Sequence, residues 1–246
     1  MKISVVTAVF NREATLGEAI ESVIAQDYPE VEHVIQDGGS RDDTLGVIER
    51  LAGPKVMLES VPDKGIYDGI NKGIARSTGE VVGLMHSDDL FAHSVVLSRV
   101  AEAMVDPEID GVYGDLDYVA ANDTDRIIRK WRSGPYTPES LRRGWMPPHP
   151  TLYLRRTVYE RWGLYDTSFR IAADYDAMLR YLVRGQIRLA YVPEVFVKMR
   201  VGGESNASIK KILRKSSEDY RAIRANGVGG IGTLAGKNLS KIKQFF

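Results

Sequence analysis

Apolar, β-branched runs alternate with amphipathic helical stretches through the first hundred residues, and this alternation limits the folds open to the chain. ISVVTAV and EVVGLM are typical of strands buried on both faces. The pattern predicts strands at 3–9, 31–36, 56–60 and 80–85, and helices at 15–25, from 40–43 onward, at 66–76 and at 92–105. Such an order predicts an α/β fold with a mainly parallel, doubly wound sheet. Ligands of these sheets bind at the carboxyl ends of the strands, so the loops after 9, 36, 60 and 85 are the candidate site.

The remainder of the chain has a less regular pattern. GVYGDLDYV and RIIRKW alternate like a hairpin pair around AANDTD, and a proline-rich stretch from PYTPES to MPPHP frames a short helix. Residues 175–184 and 209–224 have helical spacing, and 189–200 has strand spacing. Thr15 and Glu18 have the spacing of a capping box for the first helix. No repeat or linker divides the chain, so we expect one domain followed by a helical tail.

Composition excludes several classes of protein. The chain has no cysteine, which excludes disulfide scaffolds, thiolate metal sites and cysteine nucleophiles. The segment MKISVVTAVFN is too short and too soon polar for a signal peptide, and no apolar run approaches the roughly 20 residues that span a bilayer. We therefore expect a cytoplasmic protein.

The charges are unevenly distributed although they balance at 33 basic and 33 acidic residues. From Lys210 to the end there are nine Lys or Arg and two acids, so about −7 in the body is followed by about +7 in the tail. A basic tail favours an anionic partner such as a membrane surface. No basic patch with interleaved aromatics is present, so we do not expect nucleic acid as a partner.

Two polar loops could hold a ligand or simply close the chain. Asp37 follows a predicted strand and precedes two glycines, so its carboxylate could accept hydrogen bonds from a planar donor such as a base N–H; it could instead close the turn. Asp68, Asn71 and Lys72 share one helical face, which could bind a sugar hydroxyl or a phosphate or could be a solvated face with an ion pair.

Three further carboxylates lie where chemistry is plausible. Asp88 and Asp89 follow a buried strand, and adjacent carboxylates there suit a divalent ion such as Mg²⁺ or cap the next helix. Asp174 opens a predicted helix, where an acid is ordinarily a cap but in a cleft can act as a general base. His149 lies in the rigid Pro-Pro-His-Pro loop and is the one histidine suspected of function. No GxGxxG follows the first strand, and no P-loop or GxSxG occurs.

The ordered set of motifs resembles the family 2 glycosyltransferases, which have the GT-A fold. The segments that carry the resemblance are ISVVTAVFN, QDGGSRDDT, PDKGIYDGINKG, STGEVVGLMHSDD, PHPTLYLRR, GLYDTSF and AADYDAMLR. The PDKGIYDGINKG stretch is similar to the branch that builds bacterial capsular, colanic-acid-like or O-antigen polysaccharides. The resemblance implies a GT-A domain at 1–205, with a nucleotide-binding half at 1–110 and an acceptor half at 111–205, and a basic amphipathic helical tail at 206–246.

The resemblance also implies a role for each matching position. Thr7 and Val9 line the nucleobase region, Asp37 contacts the base, commonly uracil, and Asp68 and Asn71 approach the ribose or donor sugar. Asp88 and Asp89 match the metal motif that binds the nucleoside diphosphate through Mg²⁺ or Mn²⁺. Asp174 matches the acid that deprotonates the acceptor hydroxyl, and Arg200 with Gly202 and Gly203 resembles a loop that closes over the diphosphate.

The sequence departs from the family pattern at three of these positions. His86 replaces an acid or amide, so the metal ligand is Asp88 or Asp89. Ala173 replaces the usual Glu before Asp174, and Gly38 replaces a frequent second Asp, which leaves base recognition to Asp37.

The resemblance therefore implies an inverting, metal-dependent hexosyl- or N-acetylhexosaminyltransferase. Its expected donor is a UDP-sugar, and its expected acceptor is a growing, lipid-linked polysaccharide at the cell surface. A catalytically silent sugar-nucleotide-binding or scaffold protein of the same fold is the alternative. The tail has Ile209, Ile212, Leu213, Tyr220 and Ile223 on one face, so it could lie on the inner face of the plasma membrane or could pack on the domain.

Overall fold

The computed structural model describes residues 1–201 and 209–240. The strands are β1 (Ile3–Val9), β2 (Val31–Asp37), β3 (Val56–Ser60), β4 (Val81–Leu84), β5 (Leu90–Phe91), β6 (Gly111–Ala120), β7 (Asp123–Trp131), β8 (Tyr153–Arg155) and β9 (Leu189–Arg200). The α-helices are α1 (Leu16–Ile24), α2 (Thr44–Leu51), α3 (Ile66–Arg76), α4 (Val96–Ala103), α5 (Pro138–Arg142), α6 (Arg156–Trp162), α7 (Ala173–Leu179), α8 (Ile209–Ala225) and α9 (Ile231–Ser240). A short 3-10 turn covers His149–Thr151, and a π-helical turn over Arg180–Arg184 continues α7.

The strands form a single sheet in the order β3-β2-β1-β4-β8-β6-β9-β5, with β7 paired to β6. The first four strands in that order are parallel, as the alternation predicted. The other half of the sheet is mixed, because β8 and β7 run antiparallel to β6 while β9 runs parallel to it. The register places Val9 beside Asp37 and Asp37 beside Ser60, so the ends of β1, β2 and β3 lie together at one edge.

Apolar side chains cover both faces of this sheet. On one face, α3 and α7 pack with β1, β4 and β8 around residues such as Ile70, Tyr113 and Leu179. On the other, α1 and α4 pack with the same strands around Val5 and Phe196. Each large aliphatic side chain buried in this way contributes roughly 1.5–3 kcal/mol, so the two layers fix the frame from which the loops project.

The predicted capping box at the start of α1 is wrong, although the helix begins where expected. Thr15 makes no cap through its side chain. Its hydroxyl instead donates to Ser87 O at 2.9 Å, and Glu18 pairs with Arg200 at 2.6 Å. Thr15 therefore connects α1 to the loop after β4 and Glu18 connects it to the end of β9, because tertiary partners replace the local ones.

The C-terminal helices pack on the domain over part of their length. Ala222 and Ile223 of α8 are fully buried, and Lys237 of α9 forms a buried ion pair with Asp219 at 2.6 Å. Ile212 and Leu213, near the start of α8, are 57% and 65% exposed, and the side chain of Ile209 lies outside the description. Within 1–201 and 209–240, no helix is long and apolar enough to cross a membrane.

Candidate active site

The carboxylate pair after β4 lies at the carboxyl edge of the sheet. Asp89 is 1% exposed, and its Oδ1 accepts the backbone N–H of Arg200 at 3.1 Å. Its Oδ2 is buried and has no hydrogen-bond partner within residues 1–201 and 209–240. Burial and the charge of Asp88 raise the pKa of Asp89 well above its ordinary value, against the opposing effect of Arg200. A buried carboxylate oxygen without a partner is costly unless a cation or donor satisfies it.

This pair fits a divalent ion that is completed by a substrate. Mg²⁺ is commonly held by one or two carboxylates together with phosphate oxygens of the substrate. Among the described residues, no three His, Asp or Glu side chains form a metal cluster of their own. The half-buried Asp88 and the orphaned Oδ2 of Asp89 supply the donor set that such a shared site needs.

Arg200 fixes the loop that carries the pair. Its guanidinium, in a side chain only 6% exposed, bonds Glu18 Oε2 at 2.6 Å, Asp88 O at 2.8 Å and Ala121 O at 3.1 Å. The sequence predicted a contact between Arg200 and the donor, but in this structure its charge is engaged within the protein. Gly202 and Gly203, the rest of that predicted loop, lie outside the described residues.

Asp174 lies in the first turn of α7 and is only half-buried. The hydroxyl of Tyr67 is 3.2 Å from Asp174 Oδ1 and 2.7 Å from Ile171 O. Burial first, and then the charge of Asp174, raise the pKa of Tyr67 well above its ordinary value, so this hydroxyl keeps its proton and can donate it. A carboxylate held at one oxygen leaves the other free for a ligand.

Two histidines lie close to each other, near Asp174. The imidazoles of His86 and His149 are 5.9 Å apart, and His149 Nε2 is 2.9 Å from the Tyr165 hydroxyl. Burial lowers the pKa of His149 to about 4, although Asp174 acts in the opposite direction, so its ring is neutral at pH 7. The predicted candidate His149 is thus brought into the site, as a buried neutral group.

His86 is influenced by the charges of both Asp88 and Asp174. Burial lowers the pKa of His86, while Asp88 and Asp174 both act to raise it. Both carboxylates must be close to this one imidazole to have that effect, because Coulomb interactions weaken with distance. The fold therefore brings residues 88 and 174 to the same cleft.

The loop after β2 is closed by Asp37 itself. The buried carboxylate accepts from Gly39 N at 3.0 Å, from the N–H and hydroxyl of Ser40 at 3.0 and 2.5 Å, and from Ser60 Oγ at 2.6 Å. A carboxylate offers about four acceptor positions, so Asp37 is saturated within the protein. This geometry corresponds to the turn-closing interpretation of the sequence, and a base N–H would have to displace one of these donors.

Gly38 has its own structural explanation. A Cβ at position 38 would lie 2.5 Å from Asp63 Oδ2, so the Asp63 carboxylate occupies the space that a side chain there would need. The other oxygen of Asp63 accepts the N–H of Gly65 at 2.9 Å. In this chain, Asp63 thus supplies a carboxylate beside the loop that contains Asp37.

The remaining predicted donor-binding residues make internal contacts. Thr7 is fully buried, with its hydroxyl 2.8 Å from Met85 O and 2.9 Å from His33 Nε2, and Val9 is buried with its carbonyl accepting Gly38 N. Thr7 and Val9 therefore support the carboxyl edge of the sheet from within the protein.

Asp68 and Asn71 also face partners within the protein. Asp68 accepts Lys64 N at 2.9 Å and pairs with Lys72 at 3.2 Å, and these contacts lower its pKa. The Asn71 amide makes two hydrogen bonds, of 2.8 and 3.0 Å, to the backbone of Tyr165. Asp68 corresponds to the ion-pair interpretation, and Asn71 connects α3 to the backbone of Tyr165.

The site also contains residues that the sequence analysis did not select. Tyr67 and Tyr165 stack with ring centroids 5.8 Å apart, and each contacts a residue beside the cleft. Tyr67 lies one residue before Asp68 in a motif already identified, which was the available signal. Tyr165 and Asp63 also lie in segments already identified, GLYDTSF and PDKGIYDGINKG, but their partners are set by packing.

These features first define a class. The chain is an α/β protein whose ligand site lies at the carboxyl ends of parallel strands, with an acidic pair suited to a divalent ion and a further carboxylate in the same cleft. The profile described as Glycosyl transferase family 2 matches residues 4–170. The chain belongs to this family, as its motifs indicated.

Curated relatives agree with this assignment. The PGL/p-HBAD biosynthesis glycosyltransferase of Mycobacterium bovis (strain BCG / Pasteur 1173P2) is 27% identical over 224 residues, which cover 86% of this chain and 82% of the relative. An uncharacterized glycosyltransferase of Mycobacterium tuberculosis (strain ATCC 25618 / H37Rv) is 31% identical over 183 residues, which cover 72% of this chain and 68% of the relative. Sugar transfer is thus the activity of its named relatives.

Solved structures share the architecture. S. aureus TarS 1-349 in complex with UDP-GlcNAc superposes with a TM-score of 0.71 at 20% identity, covering 93% of this chain and 66% of that chain. The mannosyltransferase PcManGT from Pyrobaculum calidifontis, in complex with GDP-Man and Mn²⁺, gives 0.69 at 18% identity, covering 96% and 68%. This likeness confirms the expected GT-A fold, and the chain spans about two thirds of the length of the TarS chain.

Proposed function

We propose that the protein is an inverting, metal-dependent glycosyltransferase that moves a sugar from a nucleoside diphosphate to a glycan hydroxyl. The observation that carries this proposal is a series of contacts that runs from Asp174 through Tyr67, Tyr165 and His149 to His86, two residues before Asp88. One cleft would thus hold an acidic pair for the diphosphate and a carboxylate for the acceptor. A silent binding protein would need no such arrangement.

The acidic pair supports the departure of the diphosphate. Negative charge develops on the leaving oxygen, and a divalent ion such as Mg²⁺ or Mn²⁺ would stabilise it when bound. Asp88 and Asp89 would hold that ion, with the orphaned Oδ2 of Asp89 as one ligand. Arg200 would act through the loop, because its contacts with Glu18 and Asp88 O keep the two carboxylates in place.

Asp174 would act as the general base. As the acceptor oxygen attacks the anomeric carbon, its proton passes to Asp174, and the bond from that carbon to the diphosphate oxygen breaks. A single displacement of this kind inverts the anomeric centre and needs one such carboxylate. The Tyr67 hydroxyl, 3.2 Å from Asp174 Oδ1, would orient the base.

We propose uridine diphosphate as the nucleotide of the donor, as the family resemblance implies. The TarS neighbour is in complex with UDP-GlcNAc and the PcManGT neighbour with GDP-Man, so both nucleotides occur on this fold. In this chain, Asp37 would shape the base pocket by holding its own loop, with Thr7 and Val9 behind it, while Asp68 and Asn71 support the wall formed by α3.

For the acceptor we propose a lipid-linked polysaccharide at the inner face of the plasma membrane. The first turns of α8 support this, since Ile212 and Leu213 are exposed beside the exposed Arg214. An exposed apolar pair within a basic segment is suited to an anionic lipid surface. We also propose that residues 1–110 bind the nucleotide, residues 111–205 bind the acceptor, and residues 206–246 form the basic tail.

The test combines binding and turnover. A thermal-shift screen with UDP, GDP, dTDP and CMP, with and without Mn²⁺, identifies the nucleotide; a hundredfold excess over Kd adds about 2.7 kcal/mol. Asp174→Asn should then abolish sugar transfer while leaving nucleotide binding intact. Asp125→Asn is the matched control, because the Asp125 side chain is 92% exposed. Nucleotide binding without turnover by the native protein would favour the silent scaffold.

A further inference from the structure

Glu218 of helix α8 contacts the turn before α7 through its carboxylate. Glu218 Oε2 accepts the N–H of Ile171 at 2.8 Å and that of Ala172 at 3.1 Å. Both oxygens of Glu218 also lie within hydrogen-bond distance of Arg170 N, at 3.2 and 3.1 Å. A single side chain, 46 to 48 residues distant in sequence, thus binds three consecutive backbone amides.

These amides need a partner that α7 does not supply itself. Arg170 and Ile171 precede the helix and Ala172 is its N-cap residue, so none of the three amides has an intrahelical acceptor, and the Ala172 side chain cannot cap. The carboxylate of Glu218 satisfies them and places negative charge at the positive end of the helix. On the other side of the same segment, Ile171 O accepts the Tyr67 hydroxyl. The turn before Asp174 is therefore held from two directions.

The same C-terminal region also holds the residues that follow Asp174. Asn226 donates to Asp176 Oδ1 at 3.0 Å. The Lys237 ammonium lies 3.3 Å from the ring centroid of Tyr175 and is paired with Asp219. The backbone before Asp174 and the side chains after it are thus both in contact with α8 and α9, beyond the end of the family match at residue 170.

We propose that Glu218 is a positioning residue for the reaction, which sets the location of Asp174 through the backbone of 170–172. The inference rests on the proposed role of Asp174 as the base. Removing the carboxylate leaves three amides unsatisfied, so the turn relaxes and the Asp174 carboxylate moves relative to the donor. Donor binding does not depend on this turn, because the acidic pair is carried by the loop after β4.

The experiment compares Glu218→Gln, Glu218→Ala and Asp174→Asn with the native full-length protein. Glu160→Gln, an exposed carboxylate on α6, is the matched control. Release of nucleoside diphosphate from the donor found in the screen measures turnover, and water can replace the acceptor. Equilibrium binding of the nucleoside diphosphate with Mn²⁺ and the thermal midpoint are measured on each variant.

We expect Glu218→Ala to lower kcat about a hundredfold, the scale of a misplaced reacting group, with nucleotide affinity unchanged. Glu218→Gln keeps the shape and one acceptor oxygen, so its kcat should fall only about tenfold. It is the decisive variant if the Ala protein does not fold. A common structural defect would instead lower nucleotide affinity and the thermal midpoint together with kcat, and that pattern would overturn the inference.

Different results would contradict the role of Glu218 and the role of Asp174. Native turnover in both Glu218 variants, with Asp174→Asn inactive, would overturn the role of Glu218 and leave the role of Asp174 in place. Native turnover in Asp174→Asn would overturn the proposed base, and the inference with it.

Discussion

Replacing Glu32 by Gln measures how much one buried carboxylate contributes at the amino ends of the strands, away from the candidate site. Glu32 is 3% exposed and accepts from Ser4 Oγ and Thr78 Oγ1, each at 2.6 Å. It also accepts the N–H of Gly79 at 3.2 Å and pairs with Lys2 at 2.5 Å. These contacts connect β1, β2 and the turn before β4.

The magnitude follows from the pKa of Glu32. Burial by itself would raise this pKa, but the hydrogen bonds from Lys2, Ser4 and Thr78 together outweigh burial and lower it from 4.5 to about 2. At about 1.4 kcal/mol per pH unit, the ionised carboxylate contributes about 3 kcal/mol to folding. Because the pKa is lower in the folded state, this contribution is present above pH 4.5 and is lost as the pH falls toward 2.

Urea denaturation of the native protein and Glu32→Gln between pH 7 and pH 3 is the assay. We expect the variant to be less stable by about 3 kcal/mol at pH 7, with a difference that shrinks toward pH 3 because a protonated glutamate is neutral like the amide. Glu49→Gln, an exposed carboxylate on α2, should stay within about 0.5 kcal/mol at every pH. A difference that does not vary with pH, or one below about 1 kcal/mol at pH 7, would refute the reasoning.

Two further predictions concern the proposed ligands. Asp88→Asn and Asp89→Asn should each remove the Mn²⁺-dependent part of the thermal shift with UDP, because each deletes a charged ligand; the expected loss in metal affinity is more than the roughly tenfold cost of losing an outer-shell partner. An undiminished shift in both variants would exclude the pair as the metal site. Ile212→Ser combined with Leu213→Ser should release the protein from vesicles containing anionic lipid in a flotation assay, without lowering its thermal midpoint, since both side chains are exposed. Equal flotation of this variant and the native protein would contradict the membrane face.

The four parallel strands β1 to β4 could be predicted from the sequence alone. β1 and β4 are short apolar runs, β2 and β3 mix apolar with polar residues, and each lies next to a helix with its own apolar stripe, so periodicity placed them within a few residues. The same alternation located the carboxyl edge and, with it, Asp88 and Asp89. The spacing of apolar residues is a local property of each segment, so it can be recognised without knowing which segments pack against it.

The antiparallel strands beyond residue 110 were less accessible. The hairpin of β6 and β7 was visible from its turn, but the insertion of β8 between β4 and β6 was not. β8 has three residues, too few to show a period. Its place is decided by strands distant in the sequence.

What each site residue does was decided by the tertiary structure. Spacing placed Asn71 and Asp37 near a ligand and the family resemblance placed Arg200 there, yet their polar atoms are occupied by Tyr165, the chain around Asp37 and Glu18. The partners of Asn71 and Arg200 lie 94 and 182 residues away.

The sequence by itself thus determined the chemical groups of the site, because the side chain of an aspartate after a strand is a carboxylate in any tertiary structure. Which carboxylates remain free for a ligand was decided only by folding. A hydrogen-bond acceptor is available or saturated according to the donors that packing brings within about 3 Å, and no local pattern contains that information. The hydrogen bonds from the turn before Asp174 to Glu218 are likewise decided only by the tertiary structure.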